Sequence, residues 1–323
     1  MNNLSDLHVG VDDTDNRRFE TPTTLQRNMR GLPIVAIFLI LSFSTCSVAA
    51  DSTIEMRGGG SVVMEQATAT WCDVCASHES WISPMVESNG ERLIRVSLHS
   101  SIDDPLGNEA SKFRRNWLGH TDSDPTPIYH FDGVRENTPS SSRGELQRSL
   151  LDAEGDRVSH ESLDVSIIFE SSSVFIEAII DDPIKKNGTI MTLMLLKSEA
   201  SIDPEDATNG LLTSHSVLQQ IVMIGENTSS IYPVGWATGI IDYEIGIKAN
   251  FSFEWPNGMD KNSTTIVVIH EEGNANSGHT TLSALSWNVI PSEQESHSSL
   301  WPAVVGIGVI IAGLAYKSQR KLQ

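Results

Sequence analysis

The run Glu65-Gln66-Ala67-Thr68-Ala69-Thr70-Trp71-Cys72-Asp73-Val74-Cys75 decides how this chain is read. Before it, Val62-Val63-Met64-Glu65 has the texture of a short buried strand; after it, Trp81, Ile82, Met85 and Val86 fall on a helical period over residues 76–86, with Pro84 predicting a kink. Two thiols two residues apart at a strand-to-helix junction can close a small disulfide ring. The first would sit at the helix N-terminus, where unpaired N–H groups stabilise a thiolate. The spacing therefore predicts Cys72 as the attacking sulfur and Cys75 as the resolving one. Two blander readings compete. Structural zinc needs four ligands, and with no second cysteine pair it would have to recruit His78 or His99. An inert structural bridge is disfavoured because so short a ring removes little entropy from the unfolded chain.

Outward from the motif, Leu93-Ile94-Arg95-Val96-Ser97-Leu98 alternates as a second strand and residues 108–118 have helix-forming composition. Ile128-Tyr129-His130-Phe131 enters a turn at Asp132-Gly133, and residues 144–151 read as a closing helix. The predicted order is β-α-β-α-β-α, an α/β unit over residues 51–157. From residue 158 to 290 the texture changes to β-branched runs separated by turn residues: 163–168, 174–178, 190–196, 217–224, 240–249, 251–253 and 265–269. Their spacing predicts an all-β, Ig-like sandwich. Trp236 and Trp255 belong to its core or rim.

Both ends carry targeting signals. The apolar run at residues 32–43 follows Arg30 and leads into Ser47-Val48-Ala49-Ala50, the pattern of an export signal cleaved before Asp51. The polar stretch ahead of it predicts that translation begins at Met29, making residues 1–50 leader and signal peptide. Cys46 falls inside that segment in a poor lipoprotein box. Residues 300–316 are uncharged and rich in Val, Ile, Ala and Gly, and Lys317, Arg320 and Lys321 follow. At about 1.5 Å per residue they span roughly 25 Å, enough to cross a membrane with some thinning. The basic tail, residues 317–323, places the C-terminus in the cytoplasm and the folded part outside, joined by a stalk at 291–299. Localisation is thus expected to be single-pass at the cell membrane. Asn187, Asn227, Asn250 and Asn262 head glycosylation triplets on the outer side.

The chain of 323 residues carries a net charge of −20 and three cysteines. Such a field repels phosphate, which excludes a nucleic-acid partner, and three cysteines cannot staple a disulfide-dense mini-protein. His270-Glu271-Glu272 and His279, read as a loop, could hold a cation but lack helical metal-site spacing. Gly58-Gly59-Gly60 precedes a strand instead of following one, so it is not a phosphate loop.

Residues 65–75, with Ser97-Leu98-His99-Ser100, Asp104-Pro105 and Thr126-Pro127-Ile128-Tyr129-His130-Phe131-Asp132-Gly133, resemble the thioredoxin-fold proteins. More particularly they resemble the exported Omp28-related proteins, in which a thioredoxin-like domain is joined to a β-sandwich. The motifs span about residues 58–155. The resemblance implies a cis-proline facing the cysteine pair: Pro127, with Thr126 supplying backbone to a substrate groove beside Trp71, and Pro125 as the competing assignment. It also implies a buried carboxylate six residues before the first cysteine, where this chain has Gln66. Glu65 is expected to point the other way. Asp73 should raise the pKa of Cys72 relative to a neutral spacer. Asp73, His78 and Glu65 are the candidate proton-transfer or pKa-modulating groups.

The expected activity is thiol-disulfide exchange with exported proteins and an unidentified redox partner, with no cofactor beyond the Cys72–Cys75 disulfide and no metal. A non-catalytic surface binding or adhesion protein on the same scaffold is the alternative, and a metal relay through the cysteines and a nearby histidine a third.

Overall fold

The computed structural model describes residues 52–289 except 122, 138–141, 158–160, 186, 226–227, 233–235 and 274–278. The leader with Met29 and Cys46, Asn227, the stalk, the apolar stretch 300–316 and the basic tail lie outside the described residues. No described helix is long and apolar enough to cross a membrane.

Strands β1 (Ser52–Gly58) and β2 (Val62–Thr68) precede helix α1 (Asp73–Asn89), strand β3 (Leu93–His99) and helix α2 (Glu109–Trp117). The hairpin β4 (Ile128–Phe131) and β5 (Val134–Asn137) follows, then helix α3 (Arg143–Asp156). β2 and β3 are parallel, β4 is antiparallel to β2, and β5 to β4. The sheet order β3-β2-β4-β5 is the βαβαββα arrangement of a thioredoxin-like unit. Two strands more, β1 and β5, are present than the sequence predicts for residues 51–157; Val134-Arg135-Glu136-Asn137 carries no apolar alternation. Asp132 (φ 50°) and Gly133 (φ 82°) supply the two left-handed positions that its two-residue hairpin requires.

The rest is β: β6 (Leu163–Glu170), β7 (Ser173–Ile180), β8 (Thr189–Ser201), β9 (Thr213–Gly225), β10 (Thr228–Tyr232), β11 (Ala237–Asp242), β12 (Ile247–Glu254), β13 (Thr264–Gly273) and β14 (His279–Asn288). The expected single strand over 240–249 is a hairpin, turned by Gly246 at φ 76°, where a Cβ would stand 2.4 Å from the Ile180 carbonyl oxygen. His270, Glu271 and Glu272 lie within β13 and not in a loop, each with a separate partner: Glu161, Arg114 and Lys185.

Among the described residues two sheets form. One has the order β1-β6-β7-β12-β11; the other runs β14-β13-β8-β9-β3-β2-β4-β5, with β10 beside β9. Their facing side chains, among them Leu163, Ile176, Phe251, Leu193, Val222 and Val268, make the sandwich core, with Trp236 and Trp255 packed against it. Two features depart from a chain of separate domains. β1, assigned by sequence to the first unit, pairs along its full length with β6 of the sandwich. The triplet Gly58-Gly59-Gly60 then carries the chain from one sheet to the other; Gly59 (φ 122°) passes so close to Glu161 that a Cβ would lie 2.3 Å from its carbonyl oxygen. Second, β3 touches β9 in parallel at Ser97 and Val217, and Ser97 Oγ donates to the His215 carbonyl at 2.7 Å, so one sheet runs through both halves.

The two faces of the thioredoxin-like sheet bury different material. Val62, Met64, Tyr129 and Phe131 pack against Ile82 and Met85 of α1 and Leu146 and Leu150 of α3. On the opposite face Val63, Val96 and Leu98 share a core with Ala110 and Trp117 of α2 and with Met194, Leu218 and Ile269 of the sandwich strands. α2 thereby packs across the seam of the continuous sheet.

Candidate functional site

Cys72 and Cys75 form a disulfide. Cys72 is the N-cap of α1, its Sγ accepting the Cys75 N–H at 3.1 Å. The helix starts three residues earlier than its apolar period predicts, because the cysteine cap substitutes for an ordinary polar one. Cys72 is 6% exposed and Cys75 2%, with Trp71 beside them at 43%. Trp71 is held by its indole N–H, which donates to the Ile102 carbonyl at 3.0 Å. Asp73 stands exposed in the first helical turn.

The Thr126–Pro127 peptide bond is cis, and the Thr126 carbonyl oxygen lies 3.6 Å from Cys72 Sγ. Of the two prolines weighed from sequence, Pro127 holds that position. The cis-proline segment therefore meets Cys72 through Thr126, 54 positions away in sequence.

The three candidate proton-transfer groups separate. His78 lies one turn after Cys75, 7% exposed, with Nδ1 2.8 Å from the Tyr129 hydroxyl. Burial lowers its pKa below the ordinary histidine value, so the imidazole is neutral at physiological pH; burial likewise raises that of Tyr129, which keeps its proton. Glu65 sits on the face of β2 away from α1, as the pleat dictates. It is fully enclosed and bound to Arg114, Nε to Oε1 at 2.6 Å and Nη2 to Oε2 at 3.0 Å. Spent on this contact, it does not serve the cysteines. Asp73 alone remains free in solvent.

At the position where the resemblance implies a buried carboxylate, the Gln66 side-chain oxygen accepts from Arg95 at 3.0 Å. Arg95 closes a bidentate pair with Glu79, at 2.9 and 2.6 Å, and Glu79 is one helical turn beyond Cys75. Burial alone would push the Glu79 carboxyl up; the Arg95 guanidinium outweighs it and holds the group below its usual range. Sequence reasoning missed both residues. The available signal was an arginine in the middle of an apolar strand, which when buried requires an acidic partner.

Behind the cysteine loop, Asp104 Oδ2 accepts the Thr70 N–H at 3.0 Å and meets His99 Nδ1 at 2.8 Å, while His99 Nε2 meets Ser214 Oγ at 2.9 Å. His99 is thus committed to a carboxylate and a hydroxyl. From the sandwich, the β8–β9 connection brings Asn209 onto the same loop. Its side-chain amide donates to the carbonyls of Ala69 and Cys72 at 3.3 and 3.2 Å.

Comparison with solved structures agrees with this architecture. HBP35 of Porphyromonas gingivalis, a thioredoxin-fold and β-sandwich protein, is similar with a TM-score of 0.55 over 75% of this chain and 80% of that one. The fold has a known counterpart. At 15% identity the likeness concerns the fold alone. A family 9 carbohydrate binding module from Caldicellulosiruptor kristjanssonii, in complex with cellotriose, overlaps 40% of this chain and 66% of that one at a TM-score of 0.26 and 7% identity, too distant to carry an argument. No family model matches the chain, and no curated protein does.

Proposed function

We propose that the protein is an extracytoplasmic thiol-disulfide oxidoreductase of the Omp28-related kind, tethered to the membrane through residues 300–316. The observation that carries this reading is the placement of Cys72 Sγ at the start of α1, against the Cys75 N–H and beside the Thr126 carbonyl. An anionic sulfur there is stabilised by the helix end, and an extended substrate backbone can pair with Thr126.

In the reducing direction the Cys72 thiolate attacks a substrate disulfide. A Cys72–substrate S–S bond forms, the substrate S–S bond breaks, and the departing thiolate takes a proton from solvent. The Cys75 thiol then loses its proton, for which neutral His78, one turn further along α1, is the candidate acceptor, and its sulfur attacks Cys72 Sγ. The second substrate thiol leaves, so the substrate gains two electrons and the pair is reoxidised. Run backwards, the same steps oxidise a substrate dithiol. The pair needs no cofactor, but exported thiols or disulfides and a second redox protein must exchange with it.

Trapping tests the reading. Cys75→Ser, reduced and offered a disulfide-containing exported protein, should accumulate a mixed disulfide through Cys72. Failure to trap while Cys72 remains alkylatable would remove the mechanism. The non-catalytic binding protein keeps a specific support, the near-complete burial of both sulfurs together with the Gln66–Arg95–Glu79 network in place of a buried acid. It requires Cys72→Ser to leave partner binding unchanged.

A further inference from the structure

The turn that presents Cys72 is fastened by the second half of the molecule. Ala69 to Cys72 forms a tight turn, the Cys72 N–H donating to the Ala69 carbonyl at 3.2 Å, and the Cys72 carbonyl accepts the Ala76 N–H at 3.1 Å in the first turn of α1. Asn209 spans this turn from outside. Its backbone N–H donates to the Thr70 carbonyl at 3.2 Å, and its side-chain amide to the carbonyls at both ends, Ala69 and Cys72. Its remaining side-chain oxygen accepts the Leu211 N–H at 3.0 Å, which fixes the direction of the amide. Three bonds from one residue, 137 positions after Cys72, therefore set the backbone on which the first sulfur stands.

We infer that Asn209 is a positioning residue of the redox pair, contributed by the sandwich, and that it favours the disulfide over the reduced dithiol. This inference rests on the exchange reading for its purpose but not for its measurement. With the ring closed, the covalent link itself holds Cys72 over the helix start. With the ring open the turn is freer and the same bonds must also order it, so a clamp on the turn, formed here with the ring closed, contributes more to the disulfide than to the dithiol. The β-sandwich is then part of the redox centre, and not only its mount.

The test is the equilibrium of the full chain with reduced and oxidised glutathione, for wild type, Asn209→Ala, Asn209→Asp and Leu212→Ala. Loss of one net hydrogen bond corresponds to about a fivefold change in an equilibrium constant. Asn209→Ala should shift the equilibrium about fivefold toward the dithiol. Asn209→Asp keeps the acceptor for Leu211 but loses the donor, and should shift it at least as far; it also serves if the alanine variant does not fold. Leu212, 55% exposed in the same connection, should titrate as wild type when replaced by alanine. Equal constants for wild type and both Asn209 variants would overturn the inference, as would an equal shift in Leu212→Ala. The two proposals fail separately. A wild-type pair too stable to exchange, but shifted by Asn209→Ala, removes the exchange reading and keeps the clamp; an exchanging wild type with unshifted variants does the reverse.

Discussion

Strand β2 handles charge differently on its two faces. On the α1 face Gln66 accepts from Arg95, which pairs with Glu79, whose side chain is 13% exposed. On the α2 face Glu65 and Glu271 bind adjacent edges of the Arg114 guanidinium and share its Nη2, Thr192 adds a bond to Glu271, and all three charges are 1% exposed or less. Both carboxylates hold the Arg114 guanidinium above its ordinary pKa despite its burial. The first network closes within the thioredoxin-like unit, between β2, β3 and α1. The second joins β2, α2 and β13 and thus ties the two halves together. Burial of ions costs more than it returns unless every partner is in place, so the deeper network should behave as a single unit and the shallower one should tolerate loss.

Arg114→Met breaks this contrast most severely. It leaves Glu65 and Glu271 enclosed without a counter-charge, and a loss of about 3–5 kcal/mol is expected in denaturant unfolding. An unchanged midpoint would show that the seam does not depend on the ion cluster. Arg95→Met should cost less, about 1–3 kcal/mol, because Glu79 can turn toward water while Gln66 loses one charged donor. If the two variants were equally destabilised, the distinction between a closed and an open face would fail.

The smallest effect concerns His78. Its folded pKa lies below the unfolded value, so the unfolded state binds more protons and stability rises with pH across that window. The contribution is present above about pH 6.5 and is lost as pH falls from there toward the depressed folded value. His78→Gln, which can still meet the Tyr129 hydroxyl but does not titrate, should flatten this part of the stability profile. A slope identical to wild type would place the titration elsewhere. Asp132 works in the opposite sense. Burial pushes its carboxyl up to about 6 despite Arg157 at 2.6 Å, so its ionisation detracts from stability as pH rises through the interval from its unfolded value.

Much of the site was legible in the sequence because its determinants are local. A Cys-x-x-Cys pair after a buried strand fixes the cap of α1, and Asp132-Gly133 fixes the turn that ends β4. Glu65 and Gln66 were assigned to opposite faces by the period of the strand alone. What was not legible depends on distant residues. Nothing near Asn209 in sequence announces a contact with Cys72, and β1 has no local feature that sends it to β6 instead of β2. His270-Glu271-Glu272 looked like a polar loop because three titratable residues in a row break the alternation of a strand. Inside the fold each finds its own charged or polar partner, and the strand continues.

The central claim is that Cys72 and Cys75 are an exchanging pair. Its most direct test is the reduction potential of that pair in the full chain. A value between about −270 and −120 mV, the range of proteins that exchange disulfides, is the predicted result. A value well below about −300 mV would mark the bridge as structural and contradict the account.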